Sequence, residues 1–265
     1  MEQRLLVVGG GRMGTALVKG LGSAGWALTD ITVAEVDSTR RDALARELPG
    51  VTVVAEPVPA AGAVVAVKPA AAAAACAVLA ESAVPRWLSI MAGVTIDRLE
   101  AWAGPAVAVV RAMPNTPALV GAGISAVAAG SNAGEADLAW AEEVLGSVGA
   151  VVRVDEAALD AVTGVSGSGP AYVFLVAEAL AQAGEAAGLE AGISRRLAVA
   201  TVAGAGRLLA EPGSEPEDLR AQVTSPGGTT QAALAVLEEG ELRDLFARAV
   251  AAAAERSREL GREGT

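Results

Sequence analysis

A chain of 265 residues is long enough for one large domain or two modest ones; 52% of it is hydrophobic, mainly Ala, Val and Leu, and only 3% is aromatic. The formal net charge of −11 argues against a nucleic-acid or anionic-membrane partner, and the single cysteine, Cys76, excludes an intrachain disulfide. Histidine is absent altogether, which removes the usual zinc sites, and with them any expected metal, and every mechanism with a histidine general base.

The first residues, Met1-Glu2-Gln3-Arg4, lead straight into a strand at Leu5–Val8 without signal-peptide architecture. The nearly uncharged stretch from Pro57 to Ala80 is broken by Pro57, Pro59, Gly62 and Pro69, and that from Ala112 to Gly134 by Pro114 and Pro117, so neither can span a bilayer. The expected location is the cytoplasm, with no membrane partner.

After the first strand comes Gly9-Gly10-Gly11-Arg12-Met13-Gly14, then a helix through about Ser23. Strand, G-x-G-x-x-G and helix in this order are the context of a dinucleotide-binding turn. Gly9 permits the turn, Gly11 lets backbone amides approach a pyrophosphate, and Gly14 lets the helix lie on the strand; the helix N-terminus adds amide donors and a positive dipole end. A second strand at Ile31–Ala34 ends at Glu35, about twenty positions beyond Gly14, where a carboxylate accepts from ribose hydroxyls and repels a 2′-phosphate. That favours NAD, while Arg40 and Arg41 leave NADP open.

Ser38 is expected to cap a helix ending near Pro49. Strands follow at Val51–Val54, Ala63–Val67, Trp87–Ile90, Val107–Val110, Ile124–Ala129 and Val151–Val154. Continuous apolar runs suit a sheet buried on both faces, hence a doubly wound α/β domain. Beyond about Asp155 the pattern turns helical: one helix opens at Pro170 with Ser168 or Gly169 as cap, another covers Ser194 to Glu211, a loop runs from Glu211 to Asp218, a third helix starts near Thr229 and a charged one closes the chain. Ala and Gly recur along these helices, from Ala177 to Gly188 and from Ala198 to Gly206. Such surfaces pack closely either within one chain or in an intertwined helical dimer; so few large side chains bury little area alone, which favours the dimer.

Several segments then match one family in order: Ala66-Val67-Lys68-Pro69; Ser89 to Val94 with Ala92-Gly93; Arg111-Ala112-Met113-Pro114-Asn115-Thr116-Pro117; Gly164 to Tyr172; and Gln222-Val223-Thr224-Ser225-Pro226-Gly227-Gly228-Thr229-Thr230. Together they resemble pyrroline-5-carboxylate reductase, over essentially the whole chain. The resemblance implies a Rossmann-like domain, 1–157, followed by an all-helical dimerisation and substrate domain, 158–265, with dimers assembling further. It implies hydride transfer from NADP or NAD to the C=N bond of 1-pyrroline-5-carboxylate, giving L-proline in the last step of proline biosynthesis.

Ligands of open α/β sheets sit beyond the carboxyl ends of the strands. Ala66, Val67, Lys68 and Pro69, Ala92 and Gly93, and Asn115 fall there and are expected at the cofactor, with Lys68 offsetting its charge. Consecutive free amides at Gly228, Thr229 and Thr230, opening a helix, make an anion site suited to a carboxylate. By the resemblance, Thr230 touches the ring nitrogen and acts in catalysis, Gly228–Thr230 hold the substrate carboxylate, Gln222 lies near the cofactor and Glu156 near the substrate.

The first turn after Pro170 reads Ala171-Tyr172-Val173-Phe174, without the lysine of fold-related hydroxy-acid dehydrogenases. A cyclic imine, unlike a ketone, is already protonated enough to accept hydride, so positioning carries most of the work and no histidine is needed. Two departures bear on the cofactor. Ala70 stands where the family often has Gln, and the short segment between Val54 and Val64 lacks an Asn often placed near the adenosine. Alternatives are another cyclic-imine or deazaflavin reductase on the same fold, or a non-enzymatic dinucleotide-binding regulator.

Overall fold

The computed structural model describes residues 4–263. They form two compact units: residues 4–168 with 251–263, and residues 169–250.

The first unit is built on an eight-stranded sheet in the order β3-β2-β1-β4-β5-β6-β7-β8. The strands are β1 (Leu5–Val8), β2 (Ile31–Ala34), β3 (Thr52–Val54), β4 (Gly62–Val65), β5 (Arg86–Ser89), β6 (Ala108–Met113), β7 (Gly123–Ala129) and β8 (Gly149–Arg153). Between them run α1 (Arg12–Ser23), α2 (Ser38–Glu47), α3 (Ala72–Ala80), α4 (Ile96–Ala103) and α5 (Glu135–Gly146). Alternate residues of β1 feed different cores. Leu5 and Val7 join Leu17, Leu21, Val144 and Leu145 on one face, and Leu6 and Val8 join Cys76, Leu79 and Leu99 on the other. Both faces are therefore covered by helices, which is why these strands read as continuous apolar runs. Each fully buried leucine contributes about 1.5–3 kcal/mol.

All pairings are parallel except β6–β7. Only a short 3-10 turn, Thr116–Val120, stands between those two strands; a parallel return would need a crossover of a dozen residues or more. The chain leaves β1 toward β2 on one side and resumes at β4 on the other, so the switch point lies at the carboxyl ends of β1 and β4.

The cap of α2 is Asp37 rather than Ser38: its carboxylate accepts the Arg40 N–H at 2.8 Å. Both residue types cap well, and the backbone reaches helical geometry one position earlier than expected.

The sequence division at 157/158 and the compact units differ. After β8 the chain runs through α6 (Leu159–Val162) and a π-helical turn, Thr163–Gly167. Leu159 is buried with Ile96, Ala126 and Ala128, so this stretch packs with the sheet, and the break falls after Ser168. Residues 251–263 also return to the first unit. Ser257 donates to Asp160 at 2.6 Å, and the backbone around Leu260 and Gly261 closes on Gly93.

The second unit holds α7 (Gly169–Ala186), α8 (Ala191–Leu209), α9 (Pro216–Gln222), α10 (Thr229–Glu239) and the first turns of α11 (Leu242–Glu263). Helix α7 needs no cap from Ser168, because the π turn runs directly into it, the Ser168 N–H donating to the Thr163 carbonyl. Helix α8 starts earlier than Ser194; the Glu190 carboxylate accepts the Gly192 and Ile193 N–H groups. Helix α9 begins inside the expected Glu211–Asp218 loop, with Pro216 at its first turn, a position proline tolerates. Among the described residues no helix is long and apolar enough to cross a membrane.

Candidate active site

The glycine turn sits at the switch point. Gly9 has φ +103° and its N–H donates to the Ala34 carbonyl at 2.8 Å, so β2 anchors the turn. A side chain at Gly14 would strike the Gly9 carbonyl oxygen, so helix α1 can lie this close to the turn only with glycine there. Gly11 caps α1 without a side chain and faces open space, with no atom within 4 Å of where its Cβ would stand. Helix α1 has no acidic residue in its first turn, so its positive end is not neutralised from within. Open space at an uncapped helix start fits a pyrophosphate. Arg12, exposed, and Met13, half-buried against the core, are the first residues of that helix.

One cleft of about 520 Å³ collects many of the expected cofactor residues: Gly9, Gly11, Glu35, Ala66, Val67 and Lys68, together with Val36, Glu56 and Val78. The Ala66 N–H donates to the Val8 carbonyl at 2.8 Å, tying the loop after β4 to the glycine turn. Lys68 is exposed and precedes a 3-10 turn opened by Pro69, whose missing N–H costs that turn nothing.

Glu35 is held from both sides. Its Oε2 accepts the Gly10 N–H at 2.9 Å and its Oε1 the Asp37 N–H at 3.0 Å. Arg40 turns away behind the glycine loop, its Nε donating to the Gly10 carbonyl at 2.8 Å and its Nη2 to Thr15 Oγ1 at 2.9 Å. Arg41 donates to the carbonyls of Glu35 and Val36 at 2.9 and 2.8 Å. Lys19 lies 2.6 Å from Glu47, and that hydrogen-bonded ammonium holds the Glu47 carboxyl below its usual range.

Ala92, Gly93 and Asn115 do not line this cleft. Ala92 is exposed; Gly93 is buried at φ +74° beneath Leu260. Asn115 is buried and committed within the protein: its side-chain amide donates to the Ser166 carbonyl at 3.2 Å and its Oδ1 accepts the Ile124 N–H at 2.9 Å. It fastens the end of β6 to the start of β7 and to the π turn.

Glu156 stands just after β8, where its Oε1 accepts from buried Arg111 at 2.7 Å and from the Ile96 N–H at 2.7 Å. Sequence reasoning gave Arg111 no role. Its position inside a strand of a buried sheet was the signal, since a charge there requires a partner. Glu56 was missed too, although it follows β3 much as Glu35 follows β2.

Gln222, Gly228, Thr229 and Thr230 belong to the second unit. Gln222 is exposed at the end of α9. Gly227 adopts φ +67° and its N–H donates to Gln231 Oε1 at 2.6 Å; the Gly228 N–H donates to the Ser225 carbonyl at 3.0 Å. Gly228 then caps α10 with no side chain, and the first turn carries no acid. The amides of Thr229 and Thr230, with the half-buried Thr230 hydroxyl, open a helix that offers donors and a positive dipole end to an anion.

A family model described as pyrroline-5-carboxylate reductase dimerisation matches residues 156–260, and one described as NADP oxidoreductase, coenzyme F420-dependent, matches residues 4–93. A pyrroline-5-carboxylate reductase from a Synechocystis species is 43% identical, covering 99% of this chain and 100% of its own. The structure of a pyrroline-5-carboxylate reductase from Coxiella burnetii superposes with a TM-score of 0.92 at 36% identity, covering 98% of this chain and 99% of that one. A pyrroline carboxylate reductase from Plasmodium falciparum, solved with NADP bound, gives 0.83 at 28% identity over 98% and 99%. A full-length relationship at this level, embracing both the glycine turn and the Ser225–Thr230 loop, places the chain in the pyrroline-5-carboxylate reductase family.

Proposed function

We propose that this protein reduces the C=N bond of 1-pyrroline-5-carboxylate to L-proline, as an oxidoreductase acting on a CH–NH bond with NADH or NADPH. The full-length likeness to pyrroline-5-carboxylate reductases carries this reading. It disfavours the other imine or deazaflavin reductases and the non-catalytic regulator. The reduced nicotinamide, when bound, supplies the hydride.

The chain's own residues do the rest. Gly9 to Gly14 with the start of α1 hold the pyrophosphate; Glu35, Ala66, Val67, Lys68 and Pro69 border the dinucleotide, with Ala92, Gly93, Asn115 and Gln222 as further cofactor residues. Asn115 serves by keeping its loop in place, since both ends of its amide are already bonded. The amides of Thr229 and Thr230 hold the substrate carboxylate; Gly228, expected to offer a free amide, spends its N–H on the Ser225 carbonyl and serves instead by capping the helix that presents the other two. The Thr230 hydroxyl orients the ring nitrogen and relays its proton. Glu156, its Oε1 engaged by Arg111, is a further substrate residue. The division into 1–157 and 158–265 is then one of function rather than of compactness, with Glu156 and Gln222 as the residues whose roles cross it. The helical region pairs two copies, the dimers assemble further, and the protein works in the cytoplasm without nucleic acid or membrane.

Cofactor oxidation with pyrroline-5-carboxylate tests the reading: no turnover with either NADH or NADPH overturns it. Thr230→Ala should lower kcat/KM by about a hundredfold, the usual scale for a positioned proton-transfer group, whereas Thr230→Ser should retain most of it. An Ala variant as active as wild type would remove the hydroxyl from the mechanism.

A further inference from the structure

The sheet order places the charges of the dinucleotide cleft along a line. Going outward from the glycine turn after β1, Glu35 follows β2 and Glu56 follows β3; on the other side Lys68 follows β4. These three are the charged residues of the cleft. A dinucleotide with its pyrophosphate on the glycine turn lays its adenosine ribose toward the end of β2, into the acidic half.

The nearby cations do not share that half. Arg40 lines a second cavity of about 490 Å³ with Arg12, Thr15, Lys19 and Glu47, which meets the cleft at Gly11 of the glycine turn rather than at the ends of β2 and β3. Its guanidinium is already bonded to the Gly10 carbonyl, Thr15 and Glu47. Arg41 is spent on two backbone carbonyls and does not line the cleft.

Glu35 accepts one amide on each oxygen, and each keeps a further lone pair for a hydroxyl donor. A ribose 2′-hydroxyl satisfies it. A 2′-phosphate brings only acceptor oxygens and about two negative charges to two acceptor-only carboxylates.

We infer that this cleft selects NADH over NADPH, and that Glu35 and Glu56 together make the selection. The inference rests on the cofactor half of the proposed function and deepens it. Glu35 excludes the phosphate directly while bracing the loop; Glu56 extends the same repulsion across the neighbouring strand end.

Calorimetric binding of ADP-ribose and of 2′-phospho-ADP-ribose to the full-length protein tests this without any imine chemistry. Wild type should bind ADP-ribose tighter by about tenfold or more, the scale of an uncompensated like-charge contact. Glu35→Ser and Glu56→Gln should each narrow that ratio; the second leaves the Gly10 bond intact and so separates charge from loop integrity. Arg40→Ala should change both affinities alike. Equal affinities, preference for the phosphorylated ligand, binding of neither, or an Arg40→Ala loss confined to the phosphorylated ligand would each overturn the inference. Discrimination between the fragments without turnover of pyrroline-5-carboxylate would leave it standing and sink the proposed reaction instead.

Discussion

The two units of this chain handle apolar residues in opposite ways. In the sheet unit, Leu6, Val64, Leu88 and Leu145 are wholly removed from solvent, and alternate strand residues serve two separate helix-covered cores. In the helical unit, α7 and α10 contain no buried residue, and Phe174 and Leu175 stand 61% and 64% exposed. The first completes its core within one chain. The second exposes Val173, Phe174, Leu175, Val176 and Leu180 along a single helix, more apolar surface than a monomer carries without a partner. With residues 156–260 matching a dimerisation model, the contrast separates stability that belongs to the chain from stability that depends on protein concentration.

Breaking the sheet core should have the largest effect. Leu88→Ala empties a fully buried site and should cost about 3 kcal/mol, read from urea unfolding and the same at every protein concentration. Cys76 lies in the core on the other face of the sheet and reports whether the two cores open together: burial pushes its thiol up to about 11 and hides it, so its alkylation at pH 8 should be slow in wild type and faster in Leu88→Ala. Slow labelling in both would mean the two residues do not share one cooperative core.

Next comes Leu175→Asp in α7. Its self-association should weaken by about thirtyfold or more, the scale of an interface hot spot, as measured by sedimentation. Cys76 labelling at high protein concentration should barely change. An unchanged assembly would show that α7 is not the contact surface.

The smallest effect belongs to the exposed ion pairs. Arg153 holds Glu135 and Glu142 below the ordinary carboxyl range through hydrogen bonds. A carboxyl depressed in the folded state contributes stability above its unfolded value, about 4.3, and loses it as pH falls through the folded value. The difference in urea midpoint between wild type and Arg153→Ala should therefore be slight at pH 7 and vanish in acid. A difference that grew on acidification would reverse this assignment.

How much was legible follows from how local each cause is. The glycine turn and the strands were readable because a buried parallel sheet imposes unbroken apolar runs, and Gly9 and Gly14 are demanded by backbone geometry within a few residues. Asp37 against Ser38 is a choice between two good caps that local propensity leaves open. Helix α9 hid behind Pro212, Gly213 and Pro216, which read as loop although Pro216 sits at a helix start. Ser166, which accepts from Asn115, and Arg111, which donates to Glu156, lie 51 and 45 positions away in the chain, beyond any periodicity. The same holds for Arg40, whose place behind the glycine turn, rather than in the cleft, depends on how α2 lies against α1.

The return of α11 has a consequence for synthesis on the ribosome. The seat that Ser257, Leu260 and Gly261 fill, beside Asp160 and over Gly93, belongs to the unit that emerges first. Domains fold as units while the chain grows, yet this one stays open at that seat until the helices from α7 to α10 have been made and α11 follows. The nascent sheet unit thus waits for a late segment, and stalling or truncation before α11 should release a protein with a sheet but an unsupported Gly93 loop.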